Sequence, residues 1–105
     1  MSERRNTARK RVLLEAKWDS MSGRHEARVD DLSLGGCFVN TYGPVVLNEP
    51  VTLQILTPSG EWLTVRGTAV TYQVGVGFGM SFGSLSAPEE FGLKNLITSV
   101  VERQL

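Results

Sequence analysis

The chain has 105 residues, of which 41% are hydrophobic and 21% charged, and its 11 basic side chains balance its 11 acidic ones. This length suits a single domain with one core, and no apolar run approaches the roughly 20 residues that cross a bilayer. The N-terminal arginines precede no apolar segment, so neither a signal peptide nor membrane insertion is expected. The single cysteine, Cys37, cannot form an internal disulfide, which favours a reducing compartment.

The basic residues are concentrated at the N-terminus. Residues 1–11 contain five cations and one carboxylate, and the first ten lack hydrophobic periodicity. We therefore expect a flexible basic arm over residues 1–10 and one domain over residues 11–105. Such an arm fits an anionic partner. Taken alone, it fits a solvated chain terminus better.

Apolar and polar residues alternate along most of the remaining chain, with glycine- and proline-containing turns between the alternating segments. This pattern predicts six β-strands. The predicted strands are 12–19, 24–32, 37–41, 51–55, 62–72 and 74–82.

The sixth predicted strand has the clearest pattern. Apolar side chains occupy every second position from Val74 to Phe82, and glycines occupy most positions between them. We expect the apolar face, including Val74 and Val76, to be buried and the glycine face to be closely approached by another group.

The end of the chain changes to a helical period. Ser86 and Glu89 have the spacing of a capping box, and apolar residues then recur at three- and four-residue steps. A helix is therefore predicted over about 87–103. Six antiparallel strands of this size favour a small closed β-barrel, with the helix covering one mouth or flank.

Two short motifs stand out from this framework. The first is an RxxxR from Arg5 to Arg9, with Arg4 in front of it, just before the first strand. The second is a DxSxxG from Asp31 to Gly36, after the second strand. Each motif alone is weak, but a barrel would allow an arginine-rich arm to fold back across such a turn.

With both motifs, a Val-Gly-Val-Gly-Phe strand and a terminal helix, the chain resembles the PilZ family. Its members are six-stranded antiparallel barrels that commonly bind the bacterial second messenger cyclic di-GMP. The resemblance implies a non-catalytic receptor in the bacterial cytoplasm, without a cofactor, that passes its signal to an unidentified partner protein.

The resemblance also implies the ligand-binding residues, which are Arg4, Arg5, Arg9, Asp31, Ser33 and Gly36. An arginine before RxxxR, the position of Arg4 here, often accompanies two stacked ligand molecules in the family.

The chemistry of these residue types agrees with a guanine dinucleotide. The guanidinium fork of arginine matches phosphate oxygens and the O6 and N7 atoms of guanine. The carboxylate of Asp31 can accept from the guanine N1–H and N2–H groups. Strand alternation is expected to place Asp31 and Ser33 on one face with Leu32 opposite, and Gly36 is expected to allow the ligand close to the backbone.

Simpler interpretations exist for several of these residues. Asp31 and Ser33 can be turn-forming residues. A second RxxxR, from Arg24 to Arg28, is more typical of a solvated strand face. Cys37 is expected to be a small buried side chain.

Two other functions remain open at this point. One is a PilZ-like protein-interaction scaffold that binds no nucleotide. The other, less favoured, is a small-barrel nucleic-acid-binding protein, although a zero net charge argues against nucleic acid as the partner. The only histidine, His25, has no nearby cluster of metal ligands in the sequence, and no acid–base constellation is apparent, so neither a metal site nor an enzyme is expected.

Overall fold

A computed structural model describes residues 10–103 and contains six strands and one helix. The strands are β1 (Lys10–Ser20), β2 (Gly23–Leu32), β3 (Gly36–Asn40), β4 (Pro50–Leu56), β5 (Trp62–Gln73) and β6 (Gly77–Ser81), and the helix is α1 (Ala87–Arg103). Every neighbouring pair is antiparallel, and the order β1-β2-β3-β6-β5-β4 closes through pairing of β4 with β1. This architecture confirms the predicted six-stranded antiparallel barrel with a C-terminal helix.

The barrel interior is filled by the inward-facing residues of all six strands. Trp18 is the largest fully buried side chain, and its indole N–H donates to Thr41 Oγ1 at 3.0 Å. Its ring packs edge-on against Phe78, with centroids 4.9 Å apart, and stacks on His25 at 4.4 Å. Cys37 is fully buried, as predicted.

The helix begins with the capping box predicted from the sequence. Ser86 Oγ accepts from the Glu89 backbone N–H at 3.2 Å, and Glu89 Oε1 accepts from the Ser86 N–H at 2.8 Å. Glu89 Oε2 also accepts from the Arg66 N–H at 3.1 Å, which ties the start of α1 to β5. Leu93 and Val100 lie on the buried stripe of α1, which covers the end of the barrel where β1 begins. No helix in the described range 10–103 is long and apolar enough to cross a membrane.

The prediction for the sixth strand was wrong in its first third. Residues 74–76 form a turn between β5 and β6, with the Val76 N–H donating to the Gln73 carbonyl at 3.0 Å. Val74 is 82% exposed and Val76 is 48% exposed, so neither joins the core. The turn forms here because Gly75 has a φ of 79°, a conformation that a residue with a side chain rarely adopts.

The two ends of the barrel are formed by different turns and connections. At one end, called the motif end, β1 starts, β2 finishes and the turn over 33–35 leads into β3. The opposite end, called the loop end, consists of the β1–β2 turn, the β3–β4 connection over 41–49 and the β5–β6 turn.

Candidate functional site

Strand pairing places the start of β1 beside the DxSxxG segment. Lys10 is paired with Leu32, and Arg11 is paired with Asp31. Arg4, Arg5 and Arg9 lie outside the described residues. Lys10, the first described residue of the chain, therefore lies next to the motif turn. Arg9 is covalently bonded to Lys10.

Asp31 owes its orientation to an irregularity in β2. Val29 pairs with Val39 and Leu32 pairs with Cys37, so two residues of β2 stand opposite one residue of β3. This is a β-bulge, which re-aims side chains and is frequent beside functional sites. Val29 and Leu32 are both fully buried, whereas the two aspartates between them are half-buried. The bulge thus turns both Asp30 and Asp31 away from the core.

A second bulge lies directly alongside in β1. Between the pairs Arg11–Asp31 and Leu14–Val29, β1 contains two residues where β2 contains one. Arg11 is exposed on the strand next to Asp31. Hydrophobic periodicity does not identify Arg11 as a candidate site residue, because only the strand register shows that it neighbours Asp31.

Ser33 stabilises the motif turn. Strand β2 ends at Leu32, so the expected alternation does not extend to Ser33, which is only 3% exposed. Its hydroxyl donates to the Gly36 carbonyl at 3.3 Å and accepts from the Gly35 N–H at 3.1 Å, while its N–H donates to the same carbonyl at 2.9 Å. The structure therefore shows Ser33 in the turn-forming role that sequence analysis left open.

Gly36 is required by the packing of the strands themselves. Gly36 is paired with Ser81 of β6, and a Cβ atom at position 36 would collide with the Met80 carbonyl oxygen. The reason expected from the sequence was close approach of a ligand. The described structure gives a different reason, which is close approach of β6.

An open depression with a volume of about 740 Å³ lies on the outer face of β1, β2 and β3 and extends to the loop end, where Tyr42, Gly75 and Val76 line it. It falls within the range of roughly 300–1,000 Å³ that small-molecule sites occupy. Its charged side chains are balanced, because Glu15 and Glu26 accompany Lys17 and Arg28. The depression therefore does not form an anion site by itself, and a phosphate ligand there would need cations from elsewhere.

The second RxxxR lies on this outer surface. Arg24 is 70% exposed and pairs with Asp19, with Nε and Oδ1 3.1 Å apart. Arg28 is also exposed. Within residues 10–103, no group of three or more histidine, cysteine, aspartate or glutamate side chains is placed to hold a metal ion.

The described residues thus form a closed antiparallel barrel with a helix over one end and a serine-stabilised DxSxxG turn. The family model of the PilZ domain matches residues 3–99, so this chain belongs to the PilZ family. No curated protein is significantly similar in sequence.

Three solved structures have the same fold. The PilZ domain of CeSA from a cellulose-synthesizing bacterium aligns with a TM-score of 0.74 and 20% identity, over 90% of this chain and 98% of that domain. The Bacillus subtilis inhibitor of motility MotI/DgrA aligns with a TM-score of 0.67 and 14% identity, over 94% of this chain and 52% of that protein. The Borreliella burgdorferi PlzA protein, solved in complex with c-di-GMP, aligns with a TM-score of 0.60 and 14% identity, over 78% of this chain and 31% of that protein. At these identities the similarity shows the fold.

Proposed function

We propose that this protein is a non-catalytic bacterial receptor that binds cyclic di-GMP at the motif end of the barrel and passes the signal to a partner protein. Membership of the PilZ family and the c-di-GMP complex of PlzA support the ligand class. The observation that carries the proposal is the pairing of Lys10 with Leu32 and of Arg11 with Asp31, because Lys10 directly follows the RxxxR motif in the chain and lies next to the DxSxxG turn.

Chain length is compatible with this arrangement. Arg9 is bonded to Lys10, and the five residues from Lys10 back to Arg5 extend over at most about 17 Å. Both motif arginines are thus within reach of Asp31. They would supply the positive charge that the phosphates of a ligand at the motif end require.

The residues divide the recognition between them. The guanidinium groups of Arg5 and Arg9 bind phosphate oxygens and the guanine O6 and N7 atoms. Asp31 accepts from the guanine N1–H and N2–H groups. Ser33 holds the turn that carries Asp31, and Gly36 allows β3 to pair closely with β6. Arg4 adds a further cation that would accommodate a second, stacked ligand molecule.

Ligand phosphates neutralise the arm and fix it against the barrel, and the combined surface of arm, ligand and turn is then recognised by the partner. The prediction is that cyclic di-GMP slows amide hydrogen exchange over residues 4–11. Unchanged exchange in ligand-saturated protein would refute this switching step while leaving the binding proposal intact.

Calorimetric titration with cyclic di-GMP tests the receptor function. The double variant Arg5→Ala/Arg9→Ala is expected to lose saturable binding, whereas Arg4→Ala is expected to lower the stoichiometry if two molecules bind. The matched control is Arg24→Ala/Arg28→Ala, which removes an RxxxR of the same spacing from the outer face of β2. Equal loss of binding in the two double variants would show a nonspecific charge effect.

The two alternatives predict different results. A scaffold without nucleotide binding would show no heat and no rise in melting temperature at high ligand concentration. A nucleic-acid-binding barrel would bind oligonucleotides with steep salt dependence and show no preference for cyclic di-GMP. Either result would overturn the receptor function.

A further inference from the structure

A second depression lies at the motif end, over the start of β1. It has a volume of about 580 Å³, which is within the range of roughly 300–1,000 Å³ that small-molecule sites occupy. Its walls come from the start of β1, the end of β2, the β4–β5 turn and α1. Two of its lining residues, Arg11 and Asp30, are charged, and most of the others are apolar. The depression therefore combines one cation, one carboxylate and an apolar wall.

The two charged groups are not used by the protein itself. Arg11 is exposed and Asp30 is half-buried. Among residues 10–103, neither side chain forms a hydrogen bond or an ion pair. Strand pairing fixes their backbones, because Arg11 is paired with Asp31 and Asp30 lies in the bulge beside that pair. Since both residues belong to strands, little backbone ordering is needed for them to bind a ligand.

This combination of groups matches a guanine base. The guanidinium fork of Arg11 can donate to guanine O6 and N7, and the carboxylate of Asp30 can accept from N1–H and N2–H. The apolar faces of a purine can pack on Leu13 and Leu56, and Leu13 is 72% exposed without such cover. Adenine is a poorer match, because its N6 amino group would meet the guanidinium donors and its N1 acceptor would face the carboxylate.

The bulge in β2 supplies two outward carboxylates, and cyclic di-GMP contains two guanines. Asp31 accepts from one guanine in the proposed function. Asp30 directly precedes Asp31 and lines the depression, so it is placed to accept from the other guanine of the same molecule. The phosphates between the two bases are then left to the arginines of the RxxxR motif.

We propose that Arg11 and Asp30 form a second guanine subsite, which binds one base of cyclic di-GMP while Asp31 binds the other. The proposal rests on the proposed function, since it requires that the ligand binds at the motif end. It adds a basis for selectivity, because a ligand with only one guanine leaves Arg11 and Asp30 without a matching base.

Parallel titrations with cyclic di-GMP and cyclic GMP-AMP test the subsite. The cyclic GMP-AMP has the same backbone linkages and differs in one base only. The wild type is expected to bind cyclic di-GMP at least about tenfold more tightly. In Arg11→Ala/Asp30→Ala the affinity for cyclic di-GMP is expected to fall by about that factor. The affinity for cyclic GMP-AMP is expected to persist, because its guanine still binds Asp31, and this binding also shows that the variant is folded.

Glu15→Ala/Arg28→Ala is the matched control. It removes one carboxylate and one cation from paired positions of the same two strands, so the net charge of both double variants equals that of the wild type. The control is expected to bind both ligands as the wild type does. Loss of selectivity in the control as well would overturn the subsite.

The other outcomes separate the subsite from the receptor function. Wild-type binding that requires Arg5 and Arg9, with unchanged selectivity in Arg11→Ala/Asp30→Ala, would overturn the subsite and leave the receptor function intact. An equal loss of both ligands in that variant would also overturn it, because the two residues would then contact the phosphates and not a base. Absence of binding in the wild type would overturn the receptor function and the subsite together.

Asp30→Asn gives a stricter test, because it keeps the size of the side chain and changes its hydrogen bonding. The amide presents a donor where the carboxylate has only acceptors, so it cannot accept from both N1–H and N2–H. Selectivity for cyclic di-GMP over cyclic GMP-AMP is expected to fall as it does with alanine. Full selectivity in Asp30→Asn would refute base reading by Asp30.

Discussion

Substitution of Gly36 by alanine separates the two reasons for a glycine at the end of the DxSxxG motif. A Cβ atom at this position collides with the backbone oxygen of Met80, which cannot rotate away as a flexible side chain could. Relief requires β3 and β6 to separate at the Gly36–Ser81 pair. Overpacking of this kind costs about 1–3 kcal/mol. In a domain of about 100 residues each kcal/mol lowers the melting temperature by about 4–8 °C.

The assay is thermal and urea denaturation of Gly36→Ala in the absence of ligand. Gly67→Ala is the matched control, because a Cβ atom there would meet the Ser81 carbonyl oxygen in the same way, on a strand without the motif. Both variants are expected to lose at least about 4 °C of melting temperature. A Gly36→Ala protein with wild-type stability that has lost cyclic di-GMP binding would refute the strand-packing explanation and restore ligand approach as the reason.

Three further predictions follow from the described contacts. The pKa of Glu49 is lowered by the Ser20 hydroxyl and by the N–H groups of Val46 and Met21, and the pKa of Glu89 is lowered mainly by the Ser86 N–H. Both pKa values therefore lie below the ordinary 4.5. The two ionised carboxylates stabilise the folded state fully above that pH, and this stabilisation is lost as the pH falls through their folded-state pKa values. In Glu49→Gln/Glu89→Gln, folding stability should therefore fall less steeply than in the wild type as the pH is lowered. A slope equal to that of the wild type would contradict this. Thr41→Val leaves the buried indole N–H of Trp18 without its acceptor and should cost about 1–3 kcal/mol by urea denaturation, whereas a neutral effect would show that another acceptor takes over. Cys37 is fully buried, so a thiol reagent should modify it only as fast as the barrel opens, and rapid labelling of native protein would disagree with the structure.

Elements encoded in local patterns could be predicted from the sequence. The capping box of Ser86 and Glu89 needs residues only three positions apart, and the structure has both of its hydrogen bonds. Strand alternation likewise predicted a buried apolar face for the sixth strand, and Phe78, Met80 and Phe82 are buried in the structure. Closure into a barrel followed from the number of strands and their unpaired edges.

Other features depend on contacts between distant residues and were not predictable. The alternation of valine and glycine over residues 74–77 is compatible with a strand and equally with a turn, so the pattern does not distinguish the two. Only the pairing of Gln73 with Gly77 shows that β5 continues as far as residue 73 and that the chain reverses immediately afterwards. The exposure of Val74 and Val76 was not predictable for the same reason, because their alternation with glycine assigns both to the buried face.

Asp31 shows how a tertiary irregularity can turn outward a carboxylate that periodicity alone would bury. In a regular strand Asp31 has the parity of Val29, which is fully buried, and its carboxylate would face the core. One extra residue in β2 reverses the parity between Val29 and Leu32, so that both apolar side chains stay inside and Asp31 turns outward. Burying a charged carboxylate is costly, and a bulge at this point avoids that cost while keeping Leu32 in the core. Asp31 is also paired with Arg11, near the start of β1. The orientation of Asp31 in the DxSxxG motif therefore depends on the register of β1, β2 and β3 as well as on the six residues of the motif.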